Sequence, residues 1–251
     1  MPDTPVALIT GAGGDIGRAV ALRLARRGLG LALTDLSAEH LDATAEAATA
    51  AGAPVVVAEP LDVAEEDAVA GFVERARAAG PIRAAFNNAG IPGGSYPIAE
   101  HPLADVRKTF DVNFFGLLHV MKHVLPHLAE NDDAWLLNVS SEAGLKANER
   151  RGAYSASKAA AIQITRAAAL EYSRHGVRVN VLCPGPVEGD LMRRSEGSMP
   201  DPQELRDRLI AGSAVGRYGE PDEVANYAEY LLTEAPGYLT AATLTIDGGR
   251  R

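Results

Sequence analysis

Seven short apolar runs recur along the chain: VALIT (6–10), LGLALT (29–34), PVVVAE (54–59), RAAFN (83–87), AWLLNVS (134–140), VRVNVLC (177–183) and TLTI (243–246). Between the first six, the pattern of apolar and polar positions turns helical near 16–27, 38–51, 65–79, 102–130 and 153–175. Runs that are apolar at nearly every position suit strands covered on both faces, as parallel strands are. Strand–helix alternation joined by right-handed crossovers predicts a doubly wound α/β fold, a parallel sheet with helices on both faces. No internal repeat or long linker breaks the series, which predicts a single domain over 1–251. The stretch PGPVEGDLMRRSEGSMPDPQE (184–204) departs from the pattern, being rich in Pro, Gly and charge. Such segments inside compact domains are commonly functional, and a substrate lid is expected over 186–212.

Composition narrows the partners. A net charge of −9 opposes a nucleic-acid or anionic-membrane surface, both of which call for a basic face. A small-molecule partner is expected instead. The lone Cys183 permits neither an internal disulfide nor a zinc cluster, which suits a reducing cytoplasm. The opening MPDTPVALIT has no basic segment before its short apolar run, and no stretch of 18 apolar residues occurs, so neither a signal peptide nor a membrane span is expected.

Candidate chemistry begins at TGAGGDIG (10–17), which follows the first strand and opens the first helix. Gly11, Gly13, Gly14 and Gly17 let backbone approach a pyrophosphate, while the helix start at Asp15 and Ile16 offers unpaired N–H groups and a partial positive charge. A plain strand-to-helix turn also uses glycine. Asp15 reads either as a cap of that helix or as a carboxylate that repels a phosphate. Asp35, with Leu36 after it, ends the second strand, where an acid can accept from both hydroxyls of an adenosine ribose; capping the next helix is the alternative. Asp62, followed by Val63, is a candidate for the adenine edge with the same alternative.

GAYSASKAAA (152–161) is Ala-rich and predicts a helix. Tyr154 and Lys158, four residues apart, then share one face. NVSSEAG (138–144) and NNAG (87–90) end two strands at the sheet edge where ligands of this fold bind. Together with Asn113 in DVNFFG, CPGPV and the closing TLTIDGG, these motifs resemble the short-chain dehydrogenase/reductase family over essentially the whole chain.

That resemblance implies a seven-stranded Rossmann sheet, a homotetramer, and a tetrad of Asn113, Ser141, Tyr154 and Lys158. It implies NAD bound along the phosphate turn, Asp35 and Asp62, with further contacts from Asn88, Ala89, Gly90, Pro184, Gly185 and Val187. Three positions depart from the family pattern: Asp15 for a Gly, Gly189 for a frequent Thr that meets the nicotinamide carboxamide, and Ala241 for a Gly. The physics of the tetrad stands independently. A ketone accepting hydride needs a proton on its oxygen, and a phenol of pKa near 10 serves near neutrality only if its anion is favoured. An ammonium close by in a partly dry site favours it. Ser141 can donate to the substrate oxygen, Lys158 can also hold a ribose, and Asn113 can hold a water that relays protons.

The function expected is NAD(H)-dependent interconversion of a secondary alcohol and a ketone. A 3-oxoacyl-thioester reductase is the enzymatic alternative, favoured if Arg193 and Arg194 meet a carrier phosphate. A non-catalytic dinucleotide sensor is the alternative of another class. His119, His123 and His127 form an i, i+4, i+8 stripe, read as a polar face or subunit contact in preference to a zinc site. Cys183 reads as an inert core thiol, and Arg150, Arg151, Arg193 and Arg194 as solvated charge or anion ligands.

Overall fold

The computed structural model describes residues 4–199 and 201–250; Pro200, inside the expected lid, lies outside them. Seven parallel strands form one sheet: β1 (Val6–Thr10), β2 (Gly30–Asp35), β3 (Val55–Pro60), β4 (Ile82–Asn87), β5 (Ala134–Val139), β6 (Val177–Pro184) and β7 (Thr243–Ile246). Their order is β3-β2-β1-β4-β5-β6-β7, so the chain reverses its direction of travel across the sheet between β1 and β4. Helices α1 (Asp15–Arg26), α2 (Ala38–Ala50), α3 (Glu66–Ala79), α4 (Leu103–Phe110), α5 (Leu117–Leu128) and α6 (Gly152–Tyr172) fill the first five crossovers.

The continuous apolar runs have a direct cause. Val6 and Leu8 of β1 enter one core with Phe72 of α3 and Val124 of α5. Ala7 and Ile9, pointing the other way, enter a second core with Leu24 of α1. Both faces are dry, so no position on the strand is free to be polar. Gly17 is buried where α1 meets the end of β1, and a Cβ there would overlap the Gly11 carbonyl. Only glycine allows that approach.

Three differences from the sequence expectation stand out. The helix expected over 102–130 is interrupted between α4 and α5 by a π-helical turn, Asp111–Gly116. The segment expected to be irregular holds two helices, α7 (Asp190–Gly197) and α8 (Pro202–Ala211). Its proline is a helix start: Pro202 occupies the first turn while the Asp201 carboxylate accepts the Glu204 N–H at 2.9 Å. A further helix, α9 (Pro221–Thr233), covers the second core beside α1 and precedes β7. Ala241, where the family pattern has Gly, adopts φ 57°, a left-handed conformation that costs a side chain of ordinary kind. No helix among the described residues is long and apolar enough to cross a membrane.

Candidate active site

The carboxyl ends of β1, β2, β4, β5 and β6 open onto a cavity of about 1280 Å³. It lies at the point where the strand order reverses, which is where open α/β sheets bind ligands. Of the residues expected from sequence, Gly11, Gly14, Asp15, Ile16, Asp35, Leu36, Asp62, Val63, Asn88, Ala89, Gly90, Ser141, Tyr154, Lys158, Pro184, Gly185 and Val187 line it. Gly13, Gly17 and Asn113 do not; they support the wall from behind.

The phosphate turn is built for close approach. Gly11 has φ 64°, and a Cβ there would press on Asn88 Nδ2 at 2.9 Å and Ala89 Cα at 3.0 Å. Gly14 is the N-cap of α1 and supplies no side-chain cap, so the first N–H groups of the helix keep their charge for a ligand. Here one expectation is corrected. Asp15 does not cap α1; its Oδ2 accepts the Asp190 N–H at 2.8 Å, across the cavity mouth at the start of α7. Asp15 is the first residue of α1, one past the N-cap Gly14, and its carboxylate serves the start of a neighbouring helix.

At the adenosine end, Asp35 Oδ2 accepts the Gly13 N–H and Oδ1 accepts the Ser37 N–H, both at 2.9 Å. The helix cap of α2 is Ser37, whose Oγ accepts from the His40 N–H, so Asp35 is not the capping residue. Each carboxylate oxygen retains further acceptor capacity, and the side chain lines the cavity. Leu36 beside it is 73% exposed. Asp62 Oδ1 accepts the Ala64 N–H at 2.9 Å, a local turn bond, while the side chain still borders the cavity.

At the other end, Tyr154 and Lys158 share a face of α6, as their spacing requires. Lys158 is 4% exposed; its Nζ donates to the Val139 carbonyl at 3.1 Å and lies 5.9 Å from the Tyr154 ring centre. Burial pulls its ammonium down to about 8. Burial pushes the Tyr154 phenol up, opposed by a hydrogen bond from Ser141 and by the Arg151 cation. That guanidinium stacks 5.1 Å from the ring centre, closer than the lysine. Ser141 caps a short 3-10 turn, its Oγ accepting the Ala143 N–H at 3.1 Å.

Asn113, 1% exposed on the π-helical turn, has its amide committed. Oδ1 accepts the Ile91 N–H at 2.8 Å, and Nδ2 donates to the Ile91 carbonyl at 3.0 Å and to Ser157 Oγ at 3.2 Å. Ser157 Oγ in turn donates to the Tyr154 carbonyl. The side chain therefore ties the loop after β4 to α6. A Cβ on Gly90 would come within 3.2 Å of Asn113 Oδ1 and 3.3 Å of Lys158 Nζ, so that glycine keeps the three groups in reach of one another.

The other singled-out residues sort clearly. The histidine stripe meets carboxylates from α3 that spacing along α5 alone does not reveal: His123 lies 3.3 Å from Glu66 and His127 lies 3.0 Å from Glu74, while Glu130, three residues further along the chain, lies 3.2 Å from His127. Among the described residues no group of three His, Cys, Asp or Glu is arranged to hold a metal. Cys183 is buried and its thiol is pushed up to about 11 by that burial, as expected of an inert core thiol. Arg193 pairs with Asp190, and Arg150 donates to the Ser95 carbonyl at 3.4 Å. Glu142, Met199, Arg208 and Arg250 also line the cavity, and sequence reasoning missed them. Only Glu142 carried a signal, being next to Ser141.

Comparison with known proteins agrees with this geometry. A family model described as "Enoyl-(Acyl carrier protein) reductase" matches residues 11–251. The chain is 34% identical to 2,5-dichloro-2,5-cyclohexadiene-1,4-diol dehydrogenase of Sphingobium indicum, covering 96% of this chain and 95% of that protein. It is 33% identical to levodione reductase of Leifsonia aquatica over 98% of this chain and 93% of that one. A crystal structure of levodione reductase superimposes with a TM-score of 0.93 at 32% identity, covering 98% of both chains. NAD+-bound xylitol dehydrogenase does so with 0.92 at 33% identity, covering 99% of both. The chain belongs to the short-chain dehydrogenase/reductase family.

Proposed function

We propose that this protein is an NAD(H)-dependent oxidoreductase that interconverts a secondary alcohol and a ketone. The observation that carries the reading is a single cavity with an uncapped helix start and Asp35 at one end and Ser141, Tyr154 and Lys158 at the other. The residues fit a nicotinamide dinucleotide: a glycine cradle that a Cβ would fill, free N–H groups for the pyrophosphate, and a carboxylate for ribose hydroxyls. When bound, that group supplies the hydride acceptor or donor. The relatives named for a cyclic diol, a dione and a polyol support a substrate carbon that carries a hydroxyl or a carbonyl oxygen.

The chain's own groups supply the proton chemistry. The Tyr154 phenolate takes the proton from the alcohol oxygen in oxidation, and the phenol so formed gives a proton to the ketone oxygen in reduction. Ser141 donates a hydrogen bond to that oxygen, and the Arg151 cation holds the phenol below where burial alone would put it. Lys158 holds the nicotinamide ribose. Asn113 positions α6 through Ser157 and the loop after β4 through Ile91, and its amide oxygen keeps a second lone pair with which to hold a water.

The same reading includes 186–212 as a lid over the substrate, a cytoplasmic setting and a homotetramer. Leu103, Phe115 and Leu170, exposed on or between α4 and α6, support an apolar subunit contact. The thioester-reductase alternative is opposed by Asp35, whose carboxylate disfavours the 2′-phosphate of NADPH; Arg193, paired with Asp190, and Arg194 both line the cavity. A panel of alcohols and ketones, followed at the nicotinamide absorbance with both dinucleotides, tests the reading. Turnover of secondary alcohols with NAD is expected; a panel without hydride transfer to or from any member overturns it.

A further inference from the structure

Two guanidinium groups at the reacting end of the cavity hold hydrogen-bond donors that nothing among the described residues accepts. Arg250 returns from the far end of the chain to pack against Glu142, the residue next to Ser141. Its Nε lies 3.0 Å from Glu142 Oε2, and each side chain is only 9% exposed. Glu142 is also shared with Lys146, whose Nζ lies 3.4 Å from the same oxygen. Arg250 Nη1 is buried without a hydrogen-bond partner.

Arg151 repeats the pattern. Its Nη2 donates to the Pro92 carbonyl at 2.8 Å and its guanidinium lies over the Tyr154 ring, yet its Nη1 is also buried without a partner. The acid that acts on it at longer range, Asp105, is already held by His101 at 2.8 Å and by the Gly94 N–H. Glu149, also on the cavity wall, is exposed at the rim.

Buried unpartnered donors on a cation are costly, and a folded protein keeps few of them. Both of these belong to residues that line the cavity with Ser141 and Tyr154, in a chain whose net charge is −9. A guanidinium presents a planar fork that matches a carboxylate in two parallel hydrogen bonds. We propose that the substrate is a hydroxy acid or its oxo acid, with its carboxylate held by Arg151 and Arg250 while its carbinol or carbonyl oxygen meets Tyr154 and Ser141. This deepens the alcohol–ketone reading and rests on it. It also gives Arg151 two tasks, since the stacked cation that receives the substrate anion is the one that favours the phenolate.

The test compares isosteres that differ only in charge: acetoacetate with acetoacetamide, and 4-oxocyclohexanecarboxylate with its carboxamide. Calorimetric titration of each onto the intact protein, with and without NADH, reads affinity directly. In at least one pair the acid is expected to bind tenfold or more tighter than the amide. That preference is expected to fall toward unity in Arg151→Met and in Arg250→Met. Because Arg250→Met leaves the buried Glu142 with Lys146 as its one remaining cation among the described residues, Arg250→Lys serves as a second variant that keeps the charge and loses the fork. Equal affinities in both pairs, a preference for the amides, or no acid binding in the native protein overturns the proposal. So does a preference that survives both methionine variants. Reduction of neutral ketones alone, without acid preference, sinks the acid assignment and leaves the oxidoreductase standing. Tight acid binding with no hydride transfer to any ketone does the reverse.

Discussion

Asp15 and Gly189 are in direct contact: the Asp15 Oδ2 that accepts the Asp190 N–H occupies the space a Cβ at position 189 would need. Both positions depart from the family pattern, and the two departures explain each other. A residue with a side chain at 189 would collide with the carboxylate, and a glycine at 15 would leave the start of α7 without its acceptor. Gly189 also has φ 147°, which disfavours a side chain independently.

Asp15→Gly is therefore expected to loosen α7 and leave α1 unchanged. The bond is exposed, so the cost is at the low end of a cap, ~0.5–1 kcal/mol. Hydrogen exchange is the measurement: protection lost in 190–197 with 15–26 unchanged is expected. Gly189→Thr is expected to be more destabilising in the native background than beside Asp15→Gly, with a coupling of ~1 kcal/mol in a double-mutant cycle. Additive effects would mean that the two residues do not share space.

Tyr154→Phe is expected to lower kcat by ~10²–10⁴-fold with dinucleotide binding nearly unchanged, because only the proton-transfer group is lost. Ser141→Ala and Arg151→Met each remove an influence that lowers the phenol. Both are expected to move the alkaline-rising limb of the oxidation profile to higher pH. An unmoved limb in Arg151→Met would remove the arginine from the proton chemistry.

Lys158 links stability to pH. Its folded value of about 8 lies below the ordinary 10.5. Between these values the unfolded chain binds more protons than the folded one, so this group makes stability rise with pH across that window. Below it, burying the ammonium costs about 3 kcal/mol. Lys158→Met is expected to be inactive yet more stable at pH 7, by less than that figure because the Val139 carbonyl loses its donor. Chemical denaturation at pH 7 and 10 checks this: the variant's advantage is expected to shrink at the higher pH. A variant less stable than the native protein at pH 7 would show that the lysine is not held at a cost.

Cofactor choice is expected to favour NAD over NADP. A 2′-phosphate at Asp35 places like charges together, worth up to about 4 kcal/mol at 4 Å under surface-like screening, so a preference of ~100-fold or more follows. Exposed Leu36 offers no compensating cation. Asp35→Ser with Leu36→Arg is expected to reverse the order in kcat/KM. Losing the acceptor for Gly13 N–H is also expected to weaken binding of both dinucleotides, an effect the sequence did not reveal. Equal efficiency with NADP in the native enzyme would place Asp35 outside the ribose site.

The strands were legible because burial on both faces leaves an unbroken apolar run, as in β1. The Tyr154–Lys158 pair was legible because helical spacing alone puts the two on one face. What tertiary contact assembles was not. Nothing in the order of residues says that Arg250 returns to Glu142, or that the Asp15 carboxylate crosses to Asp190 instead of serving its own helix. Helices α7 and α8 were hidden by composition, since Pro, Gly and charge read as loop even where Asp201 and Pro202 begin a helix. Helix α9 carried a readable start, Pro221 in its first turn and Glu220 and Glu223 capping each other. The expectation simply placed no helix after β6.

The π-helical turn at Asp111–Gly116 makes chain length itself part of the site's design. A residue in an α-helix advances 100° around the axis, and a π turn accommodates one residue more than an α turn. Removing a single residue between α4 and α5 would restore ordinary winding and swing Asn113 about a quarter-turn away from Ile91 and Ser157. The join between the loop after β4 and α6 would then come apart although every functional side chain was still present. Here a one-residue deletion is more damaging than many substitutions, because arithmetic along the helix, as well as chemistry, keeps Asn113 in its seat.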